Sequence, residues 1–216
     1  MIVSVKILIK SATFRTAARL KEGMHSRLGG RIMDYRQAEE DYRRFLQGDE
    51  EAFSRIVLAY RAPITAFIGH LINGGADAED LAADVFVELL EHPGRYRFQS
   101  SLKTYLFAIA HHRTMDYLRR SKRECSLDSA VILTSEQGPE KRLLDEEYRH
   151  QVQAAWDNLK AEYRMAVYLT AVEEMSYEAA AQVMRKTVRQ IRDYCRRGRQ
   201  QLRRETTEKI GRERVK

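Results

Sequence analysis

Apolar residues recur at three- and four-residue steps along most of this chain, and the apolar–polar alternation that strands require is nearly absent. Between Tyr42 and Arg120 the helical period is broken twice, by NGGAD (Asn73 to Asp77) and by HPG (His92 to Gly94), where glycine and proline punctuate it. Asp77 is placed to cap the helix that follows, whose apolar surface is Leu81, Val85, Phe86 and Leu89. After the second break a helix is expected over Leu102 to Arg120, with Tyr105, Phe107 and Ile109 read as core. From Ser121 to Glu147 the residues become mixed in charge around a Gly-Pro pair, which reads as a linker. Helical spacing resumes from Tyr148 to Arg204. Val152, Ala155, Trp156 and Leu159 share the inner face of one helix, and Met165, Tyr168, Leu169 and Val172 that of the next.

Two further elements close the pattern. Ser176 is a good N-cap for a short helix ending near Met184, with Ala180, Val183 and Met184 turned inward. After Arg185-Lys186, Thr187 can cap a second helix in which Val188, Ile191, Cys195, Gly198 and Leu202 recur on one side. That leaves Arg189, Gln190, Arg192, Asp193, Arg196 and Arg197 on the other faces. A short helix, a tight turn and a second, basic helix form the pattern of a helix-turn-helix. The expected fold is all-α: two small helical domains joined by a flexible linker.

Composition narrows the picture. With 216 residues, 44% of them hydrophobic and only three prolines, the chain can build packed helical cores. Its net charge of +7 points to an anionic partner, but the first 32 residues hold seven Lys or Arg against one acid, so the rest is nearly balanced. What carries information is local clustering. Residues 1–32 show no sustained period, whereas MDYRQAEEDYRRFLQGDEEAF from Met33 does. Residues 1–32 are therefore expected to stand outside the fold, as a disordered basic arm or as sequence that is not natively translated. Gly29-Gly30-Arg31 fits a purine-rich ribosome-binding stretch before a start at Met33.

Cys125 and Cys195 lie far apart without metal-ligand spacing, so neither a zinc site nor a disulfide framework is expected. The opening MIVSVKILIK is interrupted by Lys6 and Lys10, too short to span a bilayer and without a cleavage pattern. A cytoplasmic protein without direct membrane insertion is the expectation.

The candidate chemistry is nucleic-acid recognition. From Arg185 to Arg204 there are nine basic side chains and Asp193 as the single acid, whereas a merely solvated helix face usually interleaves acids. Arginine and glutamine on a helix in the major groove can hydrogen-bond base edges while outlying arginines neutralise phosphates. In the first half, Asp80, Asp84 and Glu88 repeat on one helix flank and suit either the helix dipole or a basic partner protein. The loop after Pro93 offers Tyr96, Phe98, Ser100 and Ser101, followed by a helix ending in HHRTMDYLRR. Aromatics beside arginines suit unstacked bases. His111 and His112 are adjacent, point in different directions on a helix and make a poor metal pair.

DLAADVF, the loop and helix HPGRYRFQSSLKTYLFAIA, DYLRR and the terminal SYEAAAQVM with its arginine-rich follower occur in this order around a tether. Together they resemble the sigma-70 family of bacterial transcription initiation factors, specifically the small extracytoplasmic-function (ECF) type with regions 2 and 4 only. The resemblance implies a region 2 domain over 33–120, a linker over 121–147, a region 4 helix-turn-helix domain over 148–206 and a basic tail over 207–216. It implies that Asp80, Leu81, Asp84, Val85 and Phe86 dock on core RNA polymerase. It places Tyr96, Ser100, Ser101, Lys103, His112, Arg113, Arg119 and Arg120 at the minus-ten element, with Tyr96 and His112 near a pocket for a flipped base. It assigns Tyr177, Arg189, Gln190, Arg192, Asp193, Arg196 and Arg197 to the minus-thirty-five element, with Arg192, Asp193 and Arg197 base-facing. Where the family usually has Gln, Trp and Asn this chain has Ala83, Tyr105 and His112, and Arg185-Lys186 replaces a common Gly and apolar pair.

The implied partners are core RNA polymerase, promoter DNA and, as for many small sigma factors, an anti-sigma protein at the membrane. No cofactor or metal is expected. With no Gly-rich phosphate loop, no clustered ligands and no nucleophile beside a base, the chain is not expected to be an enzyme. A stand-alone helix-turn-helix regulator without polymerase docking is the alternative.

Overall fold

A computed structural model of the chain describes residues 35–72, 75–124 and 154–213. All their regular structure is helical, and they form two compact units that divide between Thr114 and Met115. The expectations for residues 1–32, for Met33 as a start and for most of the 121–147 linker, Cys125 included, lie outside the described residues.

In the first unit, α1 (Tyr35–Leu46) turns through Gly48, at φ 100, into α2 (Glu50–Ile72). Asp49 caps α2 by accepting the Ala52 N–H at 3.1 Å. Phe53, Ile56, Tyr60, Ile64, Phe67, Ile68 and Leu71 follow the helical period and are buried. By length and composition α2 could cross a bilayer, but this apolar stripe faces its own bundle. α1 is tied down by a buried carboxylate: Asp41, 2% exposed, accepts from Arg55 Nε at 3.1 Å and Nη2 at 2.9 Å.

Next comes α3 (Gly75–Glu91), with Ala78, Ala82, Val85, Phe86 and Leu89 buried, packing against α2. Asp77 lies inside the first turn of α3 and not at its cap, because the helix begins two residues earlier, at Gly75. There its charge still faces the positive end of the helix dipole. A 3-10 turn (Pro93–Arg95) leads to α4 (Leu102–Glu124), which runs one turn past the expected end at Arg120. Ser101 starts α4 by accepting the Thr104 N–H on its hydroxyl at 3.1 Å.

In the second unit, residues 154–157 are helical and lead to α5 (Ala161–Val167), a π-helical turn (Tyr168–Val172), α6 (Tyr177–Met184) and α7 (Val188–Glu213). Ala155, Leu159, Met165, Tyr168 and Leu169 are buried as their spacing requires. Val172 is not: it is 57% exposed, because the wider π turn rotates it off the inner face. α7 packs on α5 and α6 through Ile191, Cys195 and Gly198. Cys195 donates to the Ala166 carbonyl at 3.4 Å and lies 3.3 Å from the Thr170 hydroxyl.

Candidate nucleic-acid interface

The turn between α6 and α7 is built from local hydrogen bonds. Ser176 caps α6 by accepting the Ala179 N–H at 3.1 Å. The helix stops at Arg185, whose φ of 50° and ψ of 48° let Lys186 N–H reach the Ala181 carbonyl at 3.0 Å. This left-handed C-cap is a conformation that favours glycine, and an arginine holds it here. Thr187 and Gln190 then close a reciprocal capping box. The Thr187 hydroxyl accepts the Gln190 N–H at 3.2 Å, and Gln190 Oε1 accepts the Thr187 N–H at 2.9 Å. Gln190, expected at a base edge, thus spends its carbonyl oxygen on starting α7.

Beyond the cap, Arg189, Arg192, Arg196 and Arg197 are exposed along one side of α7 and, with Asp193 and Tyr194, line a shallow depression. Their charges have partners within the chain. Asp193 Oδ1 accepts from Arg196 at 2.7 Å and Oδ2 from Arg197 Nε at 2.8 Å, the i,i+3 and i,i+4 neighbours on the same face. The hydrogen bond from Arg196, aided by Arg197, holds the Asp193 carboxyl below its ordinary range. Arg197 is held charged first by a hydrogen bond with Tyr163 of α5 and then by Asp193. Arg192 lies 5.5 Å over the Tyr177 ring and 4.0 Å from Glu178 of α6. The structure therefore brings Tyr177, Arg189, Arg192, Asp193, Arg196 and Arg197 together on one surface.

In the first unit the loop between Arg95 and Leu102 is arranged differently from the expectation. Tyr96 is 4% exposed and donates its hydroxyl to the Ser100 carbonyl at 2.8 Å, so its ring is core and not a surface for DNA. Burial pushes that hydroxyl well above the ordinary tyrosine range, which keeps it a donor. The ring that faces outward is Phe98, 37% exposed. Ser101 is occupied as the cap of α4, and Ser100 is half-buried. Lys103 is half-buried with its ammonium 5.7 Å from the Phe107 ring. Arg113 donates to Glu88 Oε2 at 2.8 and 3.1 Å, while Arg95 takes Oε1 at 3.1 Å. Arg113 is therefore engaged in joining α3 to α4, because Glu88 stands opposite it. His112 and Arg120 are exposed, and Arg119 pairs with Asp116 at 3.0 Å.

The acidic helix α3 sorts its residues by face. Asp80 and Asp84 are exposed and Leu81 is half-buried. Val85 and Phe86 are fully buried, so the bundle core takes them and they cannot form an outer docking surface. Glu88 leaves the acidic flank to hold Arg95 and Arg113. Among the described residues no three His, Cys, Asp or Glu side chains gather as a metal site.

Comparison with known proteins agrees with this division. The family Sigma-70 region 2 matches residues 56–124, and the family Sigma-70, region 4 matches residues 149–202. The RNA polymerase sigma-H factor of Pseudomonas aeruginosa is 26% identical over 182 residues, covering 79% of this chain and 94% of the relative. The ECF RNA polymerase sigma-E factor of Escherichia coli is 26% identical over 170 residues, covering 74% and 88%. Among solved structures, the sigma factor RpoE in complex with the anti-sigma factor NepR from Bartonella quintana has the same fold. It superposes with a TM-score of 0.60 at 24% identity, over 72% of this chain and 96% of that one.

Proposed function

The chain belongs to the sigma-70 family, carrying its regions 2 and 4 in that order, and on that premise we propose that it is a promoter-recognition factor of the ECF type. It binds core RNA polymerase, directs it to particular promoters and helps open the DNA. It is an initiation factor without chemistry of its own; bond formation stays with the polymerase. The observation that carries this reading is the helix-turn-helix placed after a region 2 bundle, with the exposed arginines of α7 on one side.

The work divides between the two units. The outer flank of α3, Asp80 and Asp84 beside the half-buried Leu81, is the surface for polymerase docking. α7 enters the major groove through Arg189, Arg192, Arg196 and Arg197, which reach base edges and phosphates. The loop before α4 and the exposed side of α4 meet the opened strand. Each unit alone binds DNA weakly, and holding both on one polymerase makes the second contact intramolecular. With α4 running to Glu124, the tether to residue 148 is about 23 residues and reaches at most about 76 Å, enough for promoter elements two helical turns, about 70 Å, apart. The cytoplasm is where polymerase and promoter are found, and an anti-sigma protein is a fitting partner, as the neighbour RpoE forms a complex with the anti-sigma factor NepR.

Capture of bacterial core RNA polymerase by the full chain tests the proposal, with Asp84→Arg as the charge-reversed partner. Stoichiometric capture by the native chain, lost in Asp84→Arg without loss of helical content, is the expected result. No capture by folded native chain would refute polymerase docking and leave a stand-alone DNA-binding regulator.

A further inference from the structure

We propose that Glu88 is a positioning residue for strand opening, one that holds the loop before α4, and α4 itself, against the polymerase-docking helix. The assignment rests on the sigma-factor reading. Spacing puts Glu88 one turn beyond Asp84 on the acidic flank of α3, yet its side chain is only 18% exposed. Its two carboxylate oxygens are divided between partners 7 and 25 residues along the chain. Oε1 accepts from Arg95 Nη1 at 3.1 Å, and Oε2 accepts from Arg113 Nε at 3.1 Å and Nη2 at 2.8 Å. Arg95 ends the 3-10 turn that opens the loop, and Arg113 belongs to α4. One carboxylate of the docking helix therefore touches both elements that the reading brings to the opened strand.

The geometry also settles what Arg113 is for. It spends two donors of its guanidinium fork on a single oxygen, an arrangement that fixes direction as well as distance. Arg95 and Arg113 converge on one carboxyl group, so the charge of Glu88 is what lets the two cations stand together; without it they repel. The far end of the loop is held by other contacts. The Tyr96 hydroxyl reaches the Ser100 carbonyl at 2.8 Å, Ser101 caps α4, and the Tyr96 ring rests on Tyr105 of α4 at 5.1 Å between centroids. Those contacts join the loop to α4, and Glu88 joins both to α3. A shift of α3 on docking at Asp84 thus reaches the loop through the next turn of the same helix. Arg113 acts in opening by holding α4 in place, and not by meeting a phosphate.

The test assembles the full chain on core RNA polymerase with a duplex that the native complex has selected from a random-sequence library. Permanganate reactivity of its thymines reads opening, and competition in the cold reads binding before opening. Glu88→Gln keeps the shape of the side chain but presents one oxygen, which cannot hold both arginines, so helical content and polymerase capture should stay native. Glu88→Gln and Arg113→Ala should each lower the opened fraction about fivefold, and the double variant no further than the worse single, as for residues that act through one contact. Binding before opening should change by less than about twofold in all three. Native opening in Glu88→Gln, or equal losses in binding and opening, overturns the positioning role. Losses that multiply in the double variant overturn it by showing that Arg113 meets DNA on its own, and lost capture in Glu88→Gln overturns it by returning Glu88 to the docking flank. Each of these leaves the sigma-factor reading intact. Failure of polymerase to capture the native chain, or a native complex that opens no duplex, overturns both.

Discussion

Gly69 and Gly198 lie within long helices, and the same substitution at each should have opposite effects. A Cβ built on Gly198 of α7 would stand 2.8 Å from Val167 Cγ2 and 3.4 Å from both Cβ and the carbonyl oxygen of Tyr163. Carbon atoms pack best at about 3.5–4.0 Å, so the new methyl intrudes on Val167 by more than half an ångström. Val167 is buried in α5 and β-branched, with one strongly preferred helical rotamer, so relief requires α5 and α7 to separate. Overpacking of this kind costs about 1–3 kcal/mol, against a gain of about 1 kcal/mol for alanine over glycine in a helix. The net for Gly198→Ala is a loss of about 1 kcal/mol or somewhat more. At Gly69 of α2 the nearest atom is Ala78 Cβ at 3.8 Å, an ordinary contact, so the helix gain stands and Gly69→Ala should stabilise by up to about 1 kcal/mol. The single tryptophan, Trp156, belongs to the second unit, so its fluorescence in a urea titration reports that unit alone. Gly198→Ala should lower the tryptophan midpoint by roughly 0.5 M urea at a slope typical of small domains. Gly69→Ala should leave that midpoint in place and raise the remaining transition seen by circular dichroism. A tryptophan midpoint unchanged or raised in Gly198→Ala would refute the close approach of α5 and α7.

Two changes at the ends of α6 follow from its caps. Ser176→Ala removes the acceptor for the Ala179 N–H and should cost about 1 kcal/mol in the tryptophan-reported transition, with Ser176→Asp restoring it; equal midpoints for serine and alanine would show that the cap contributes nothing. Arg185→Gly should raise the same midpoint by up to about 1 kcal/mol, because a left-handed conformation strains any residue with a Cβ. The same variant should weaken duplex binding by the polymerase complex, making the log-log salt slope shallower by about 0.9 if Arg185 meets one phosphate; a midpoint no higher than the native one would count against strain at the turn.

The helical elements of both units were legible because their apolar residues keep a helical period that tertiary contacts reinforce: Ala180, Val183, Met184, Ile191 and Cys195 are all buried where spacing put them. Helix ends were less legible. Asp77 looks like a cap by type, yet the helix already begins at Gly75, and α4 continues through Ser121 because nothing in SKRE stops it. The Thr187 to Gln190 capping box was written in the sequence as Thr-x-x-Gln, so the engagement of the Gln190 carbonyl oxygen in starting α7 could have been read from it. Within the loop, Tyr96 and Phe98 are equivalent as letters. Which ring turns inward depends on the positive φ at Phe98 and on the Tyr96 hydroxyl finding the Ser100 carbonyl, and neither has a signal in residue type. The diversion of Glu88 from the acidic flank needs Arg95 and Arg113, which come from two other elements and meet it only in the folded bundle.

The paired arginines of α7 change what its charge is for. A phosphate that approaches Arg196 or Arg197 must compete with Asp193, and one that approaches Arg192 must compete with Glu178 and the Tyr177 ring. Exposed ion pairs of this kind are worth about 0–1 kcal/mol, so exchanging one for a phosphate contact in water returns little. A bidentate contact to a base edge in a dry groove is worth about 1–3 kcal/mol of discrimination, which exceeds what the exchange gives up. Asp193 also repels phosphates and base acceptors presented out of register. A single acid among nine bases therefore lowers the yield of sequence-independent contacts more than that of matched ones. On the proposed entry of α7 into the major groove, this placement of Asp193 favours matched sequence, where a uniformly basic helix would clamp any duplex.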